Sequence, residues 1–272
     1  MDAKSYDGPV AEIGVIGGSG LYTFLEGAQE VDVPTPYGPA SGPLTLGQID
    51  GRSVAFVARH GRGHSLAPHR VNYRANLWAL RRTGVRQVLA PCAVGSLRTE
   101  IGPGAFVVPD QLVDRTWGRA STFYDDIPPV HVPFADPYCP RGRAAMLELG
   151  RSAGEPMVDG GTLVVINGPR FSSRAESQWH AAQGWSIVGM TGQPEAALAR
   201  ELGLCYTALA LVTDHDAGVA GAGVTQDEVM AVFAANVSRV RALLQALVPA
   251  LPADDACPCR IAGFEALAGS EH

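Results

Sequence analysis

The sequence predicts an α/β fold in a single domain, a central β-sheet flanked by helices. Three observations predict it. Strand-like and helix-like segments alternate along nearly all of the 272 residues, the order that a sheet and its covering helices produce. Hydrophobic residues make up 46% and charged residues 18%, apolar mass enough for a large core and against disorder. Gly 32 and Pro 20 supply turns between short elements. No repeat or low-complexity linker divides the chain. Residues 12–251 therefore read as the domain, 1–11 as a flexible arm and 252–272 as a Pro/Ala/Gly-rich tail.

The elements follow in order. Ile13–Ile16 reads as a buried strand closed by Gly17-Gly18-Ser19-Gly20. Leu44–Ile49 and Ser53–Ala58 read as strands joined at Asp50-Gly51, a hairpin signal. Val71–Arg82 reads as a helix, with Arg81 and Arg82 at the negative end of its dipole. Gln87–Cys92 is the next strand, followed by an extended Ala105–Pro109 and an irregular stretch, 114–141, rich in Pro, His and aromatics. Gly161–Ile166 reads as strand, Arg174–Gln183 as helix and Ile187–Met190 as a short strand. Pro194–Leu202 reads as a helix with proline in its first turn, and Cys205–Thr213 as strand. The last helix is the clearest. Thr225 and Glu228 form a capping box, and Val229, Val232, Phe233, Val237, Val240, Leu243, Leu244 and Leu247 recur at helical spacing.

Lys+Arg 21 against Asp+Glu 27 gives −6, so no general basic footprint for nucleic acid exists. No apolar run approaches the ~20 residues of a membrane span. The N-terminus lacks the basic-then-apolar pattern of a secretory signal. Five cysteines at irregular spacings fit free thiols in a reducing compartment, and the expected location is cytoplasmic. Cys257-Pro-Cys259 is a C-x-C without a partner pair. It reads as a tail thiol pair rather than a metal or redox site.

In open α/β sheets ligands bind beyond the C-terminal strand ends, so the chemistry is sought in those loops. Gly17-Gly18-Ser19-Gly20 lets backbone amides approach an anion, although a plain tight turn explains it equally; it is neither a dinucleotide fingerprint nor a P-loop. Arg59-His60-Gly61-Arg62-Gly63-His64 suits an oxyanion, since the arginine fork donates two parallel hydrogen bonds; a solvated basic loop is the alternative. Cys92 to Ser96 are small and permit a flat ligand against backbone; Cys92 reads as a packing thiol, its apolar lead-in giving no reason for a low pKa. Phe171, after Gly168-Pro169, stacks on a ring or packs in the core. Thr191 precedes a helix N-terminus, a natural anion site. Asp214 and Asp216, two apart at a strand end, point the same way. Crowding them in a closed pocket raises one pKa and makes a proton donor. A glycosidase-type pair would leave the anion site unexplained.

Together these segments resemble the trimeric nucleoside phosphorylases, in their 5′-methylthioadenosine phosphorylase branch. The carriers include Ile16-Gly-Gly-Ser-Gly-Leu21, Arg59-His60-Gly61, Val71-Asn-Tyr-Arg-Ala-Asn76, Gly168-Pro-Arg-Phe-Ser-Ser-Arg-Ala-Glu-Ser177, Pro194-Glu195 and Thr213-Asp214-His215-Asp216. They run in order over about residues 12–248. The resemblance implies a nucleoside phosphorylase-like domain with a central mixed sheet. It implies that 5′-methylthioadenosine and phosphate give adenine and 5-methylthioribose 1-phosphate, in purine and methionine salvage. It places Ser19, Arg59, His60, Cys92 and Thr191 around phosphate, and Ala93, Phe171 and Met190 against base and ribose. Asp214 and Asp216 face the purine as the catalytic pair. His131 looks like the residue near the 5′ substituent at a subunit boundary, and Gln226 and Val229 stand on the 5′ side. A homotrimer is implied, with inorganic phosphate as co-substrate, no metal and no cofactor. Three positions depart from the family pattern: Cys92 replaces a threonine, Gly189 replaces the asparagine before Met190, and Gln226 stands where an apolar residue is common.

The chemistry agrees. Breaking an N-glycosidic bond builds positive charge on ribose and negative charge on the leaving purine. Phosphate stabilises the first and a protonated Asp214 relieves the second. An aspartate accepts from a 6-amino group, whereas a 6-oxo purine favours asparagine. Alternatives are a purine nucleoside phosphorylase of other 5′ preference, taking adenosine, inosine or 5′-halo-5′-deoxyadenosine, and a non-catalytic purine sensor.

Overall fold

The computed structural model describes residues 7–18, 21, 25–220, 223–253 and 256–260. Its strands are β1 Ile13–Gly17, β2 Glu26–Val31, β3 Leu44–Ile49, β4 Arg52–Ala58, β5 Gln87–Ser96, β6 Phe106–Val108, β7 Gln111–Arg115, β8 Met157–Asp159, β9 Thr162–Ile166, β10 Ile187–Gly189 and β11 Cys205–His215. Its helices are α1 Tyr73–Arg82, α2 Pro140–Ser152, α3 Arg174–Ala182, α4 Gly192–Glu201 and α5 Gln226–Ala250. The strands form one mixed sheet, as expected, ordered β2-β3-β4-β1-β5-β10-β9-β7, with β11 pairing β5 and β6, and β6 pairing β8.

Strand alternation sorts the core onto two faces. Ala55, Val57, Val88, Ala90 and Ala208 join one buried cluster with Leu77 and Trp78 of α1 and Leu198 of α4. Val54, Phe56, Leu89, Leu209 and Leu211 join another with Met146 of α2 and Val240, Leu243, Leu244 and Leu247 of α5. The sheet is thus covered on both sides.

The central feature is a fork. β5 begins between two parallel neighbours, β1 through Ile13–Val15 against Gln87–Leu89, and β11 along the whole of its length. At its far end the β1 side is taken instead by antiparallel β10, through Val188↔Gly95 and Ile187↔Ser96. Between these pairings, Ala90 to Val94 lack a ladder partner on that side. Pro91 has no N–H to offer one. Ala93 is exposed and Cys92 only half-buried although the strand is central. A cleft opens there.

Several expectations are corrected. Residues 92–96 are strand, not loop, because β11 pairs with them throughout. β11 likewise runs to His215, so Asp214 lies in the ladder. The irregular stretch is shorter than 114–141, since β7 and α2 trim its ends. β2 has no buried face, which hid it from an alternation search. α2 carries Pro140, Gly142 and Gly150, which blunt its pattern. The capping box at Thr225 and Glu228 is present in both directions. By length and composition α5 could cross a bilayer, which a count of unbroken apolar runs did not register; its Val240–Val248 face is buried in the core. Cys257 and Cys259, expected to lack a partner pair, are buried beside Cys139 and Cys205. Most of the expected arm and tail lies outside the described residues.

Gly142 explains why α2 sits tightly on β11. A Cβ there would overlap the Thr207 hydroxyl, and Thr207 is itself buried. Helix propensity alone would favour alanine by up to ~1 kcal/mol. The overlap predicts the opposite sign: Gly142→Ala should destabilise by about 1–3 kcal/mol, read as a lower urea midpoint at unchanged slope.

Candidate active site

Arg59 follows β4 and points into the fork. Its Nε and Nη2 donate to the two Glu195 carboxylate oxygens at 2.8 and 3.0 Å. Nη1 donates to the Pro91 carbonyl of β5 at 3.0 Å, and Nη2 to the Ile16 carbonyl of β1 at 2.9 Å. The guanidinium thus replaces the ladder that the diverging strands cannot form. Both charges are deeply buried, Arg59 3% and Glu195 1% exposed. Burial opposes the charge on Arg59, but the Glu195 ion pair outweighs it and the pKa rises. Tyr206 of β11 completes the support, its hydroxyl donating to Glu195 at 2.7 Å.

This changes the role expected of Arg59. Four of the five N–H groups of a guanidinium are committed inside the protein. The bidentate fork belongs to Glu195, and one Nη1 hydrogen is left for an anion. Glu195, quoted only as part of a motif, is the principal residue that sequence reasoning missed; a carboxylate one residue after Pro194 in a buried helix was its available signal.

His60 is half-buried, with Nδ1 2.9 Å from the Leu66 carbonyl and its ring stacked on His64. A carbonyl can only accept, so Nδ1 carries the hydrogen and Nε2 is the acceptor. Burial, then the Arg59 charge, lowers the His60 pKa to about 4, so the ring is neutral at neutral pH. Burial pushes the Cys92 thiol up to about 11; it is a protonated, weak donor. Thr191 is buried and precedes α4, yet its side chain caps no helix amide. Ser19 lies outside the described residues.

On the other limb of the fork, Asp214 pairs in register with Gly95 across a bulge at Thr213. A Cβ on Gly95 would stand 3.0 Å from Asp214 Oδ2 and 3.3 Å from Asp216 Cβ. Glycine there lets both aspartates lie over β5. Their environments differ. Asp214 is half-buried, and burial followed by the Asp216 charge raises its pKa to about 6, against a hydrogen bond with Thr213 that lowers it. Asp216 is 3% exposed, and its Oδ2 accepts from the Ser177 hydroxyl of α3 at 2.5 Å. The expected pair is therefore together, with one carboxyl buried against Ser177 and one half-exposed. His215 between them has its Nε2 buried without a hydrogen-bond partner among the described residues.

Met190 and Phe171 are half-buried. A Cβ on Gly168, at φ +62°, would strike Met190 Sδ at 2.6 Å, so the Gly168–Phe171 loop closes onto Met190. Arg170 steadies that loop through Glu176, which also completes the cap of α3. The Arg170 hydrogen bond holds the Glu176 pKa down to about 2. Val229 is half-buried and Gln226 exposed on the first turns of α5. One turn on, Phe233 lies 3.8 Å from a Cβ built on Gly18, so this end of α5 borders the glycine loop. His131 is exposed on the segment between β7 and α2 and is not brought to these residues within one chain by any described contact. A separate groove of about 530 Å³, lined by Arg143, Leu147, Arg151 and Asp159 among others, takes none of the expected site residues.

The family model of the phosphorylase superfamily matches residues 12–249. The chain belongs to that superfamily. Within it, a purine nucleoside phosphorylase of Streptomyces coelicolor is 64% identical over 260 residues, spanning 92% of this chain and 93% of the relative. An S-methyl-5′-thioadenosine phosphorylase of Mycolicibacterium smegmatis is 56% identical over 248 residues, spanning 90% and 93%. Among solved structures, a methylthioadenosine phosphorylase from an antarctic soil metagenomic library superposes with TM-score 0.90 at 38% identity, covering 95% of this chain and 92% of its own. The Schistosoma mansoni methylthioadenosine phosphorylase in complex with tubercidin gives 0.86 at 39% identity, covering 96% and 98%. As a phosphorylase-family pentosyltransferase, the chain is an enzyme acting on small nucleosides.

The Arg59–Glu195 pair generates a stability prediction. Glu195→Ala leaves a buried cation uncompensated and should cost about 3–5 kcal/mol in urea denaturation. Arg59→Ala/Glu195→Ala should cost less than the sum of the single changes, because the two residues share one interaction.

Proposed function

We propose that this phosphorylase cleaves 5′-methylthioadenosine with inorganic phosphate, giving adenine and 5-methylthioribose 1-phosphate. The observation that carries the reading is Asp214: a half-buried carboxyl lying over Gly95 of β5, the strand whose Pro91 carbonyl Arg59 holds, with its pKa raised to about 6.

A phosphate oxygen attacks C1′ while the C1′–N9 bond breaks, and the bonding electrons pass to the purine. Asp214 in its protonated form delivers the hydrogen to N7. Buried Asp216 acts on Asp214 through its charge and accepts from Ser177, which fixes its direction. Carboxylates at the base edge suit the 6-amino group of adenine and reject a 6-oxo purine, whose oxygen would be left facing an acceptor. Phosphate is held by the remaining Arg59 hydrogen, the Thr191 hydroxyl and Ser19. Neutral His60 accepts from a protonated phosphate oxygen through Nε2. On the 5′ side, Val229 and Phe233 of α5 favour a methylthio group over a hydroxyl.

The enzyme is a homotrimer in which exposed His131 serves a neighbouring site. It is cytoplasmic, acts in purine and methionine salvage, and needs no cofactor, nucleic acid or membrane.

Two experiments test this. Adenine release from methylthioadenosine should require phosphate and should exceed release from adenosine, and inosine should release no hypoxanthine; equal release without phosphate, or efficient inosine cleavage, overturns it. At saturating phosphate, kcat/KM for the nucleoside should fall as pH rises through about 6, because the acid must be protonated in the free enzyme. Asp214→Asn should lower kcat/KM by about 10²–10⁴-fold and abolish that limb of the profile while phosphate still binds.

A further inference from the structure

At the opposite end of β11 from Asp214 the sequence places Cys205, and the fold gathers three more cysteines around it. Cys139 is the N-cap of α2, Cys205 opens β11, and Cys257 and Cys259 come from the tail. All four thiols are buried and unbonded, and their sulfurs lie within 4.8 Å of one another. We propose that these four cysteines form a structural zinc site that clips the C-terminal tail to the sheet.

Geometry is the first support. Tetrahedral zinc with Zn–S bonds of about 2.3 Å separates its sulfurs by ~3.8 Å. The Cys139–Cys257 distance is 3.6 Å, far beyond a disulfide bond of about 2.04 Å. Two disulfides would require only two close pairs. Convergence of all four sulfurs is what one shared ion requires.

Charge is the second support. Four thiolates around Zn²⁺ carry a net charge of −2, which needs compensation in a buried place. Two groups supply it. Cys139 sits at the positive end of α2, and its sulfur accepts from the Gly142 amide at 3.5 Å. Arg200 is buried, and its Nη2 lies 4.0 Å from Cys259 Sγ. The other hydrogen bonds of that guanidinium go to the neutral carbonyls of Pro133 and Asp136. Such outer contacts are typical around a metal-bound thiolate.

Placement argues that the ion is structural. Ten strand positions lead from Cys205 to His215, roughly 30 Å at about 3.3 Å per residue, so the cluster stands far from the aspartates. Four protein ligands also leave no open position for substrate. The clip joins elements that support the cleft from behind, since the Cys139 amide donates to the Tyr206 carbonyl at 2.7 Å and the Tyr206 hydroxyl holds Glu195.

The test uses the full chain, purified under reducing conditions without a metal-affinity step. Mercurial titration of the thiols should release one zinc per chain, and the native protein should protect four thiols from a thiol reagent. Refolding with cobalt should give the intense visible absorption of a tetrahedral thiolate site. Cys257→Ser/Cys259→Ser should lose the metal and lower Tm, with kcat unchanged at low temperature. Absence of zinc after refolding in excess zinc, or cysteine cross-links in peptides from freshly isolated protein, overturns the proposal. Both readouts come from the wild-type chain, so they decide even if the variant does not fold.

Discussion

A buried arginine holds the two limbs of the fork at a fixed separation. Where β1 and β5 part, backbone carbonyls of Ile16 and Pro91 would face a gap. Leaving such groups unsatisfied costs about 1–3 kcal/mol each. Arg59 satisfies both, and Glu195 and Tyr206 then anchor the guanidinium to α4 and β11. One side chain thereby sets the distance between four elements and keeps the cleft from collapsing.

The same fork explains why the aspartate in the last rungs of the β11 ladder and the one just past its end behave differently. β11 stays paired with β5 as β10 replaces β1 on the other side, so the strand delivers its last residues to the cleft on a rigid rail. The bulge at Thr213 and the missing side chain at Gly95 let Asp214 and Asp216 lie over β5. Ser177 draws Asp216 inward. Proximity without equivalence leaves the Asp214 carboxyl with a raised pKa and the Asp216 carboxyl as one of the groups that raise it.

Much of this was legible from local signals. β1, the β3–β4 hairpin, α1, α4 and the capped α5 follow from apolar periodicity, the Asp50-Gly51 turn and the Thr225 cap. Elements without a buried stripe, β2 and β7, were not. At the site, Arg59, His60, Thr191 and the aspartates stand out as polar residues at strand ends. That Glu195 occupies the arginine fork, and that Cys205 meets Cys257, depends on contacts 136 and 52 positions apart along the chain. No local pattern encodes such pairings, because they arise only when the sheet order is set.

A guanidinium bound on four sides cannot swing out to greet an arriving anion or follow a departing one. On the phosphorolysis proposed above, its one free hydrogen is a fixed donor to which inorganic phosphate and the phosphate of a sugar ester must each come. Such a donor serves the forward and reverse steps alike, and net flow follows the concentrations of nucleoside, phosphate, base and sugar phosphate together.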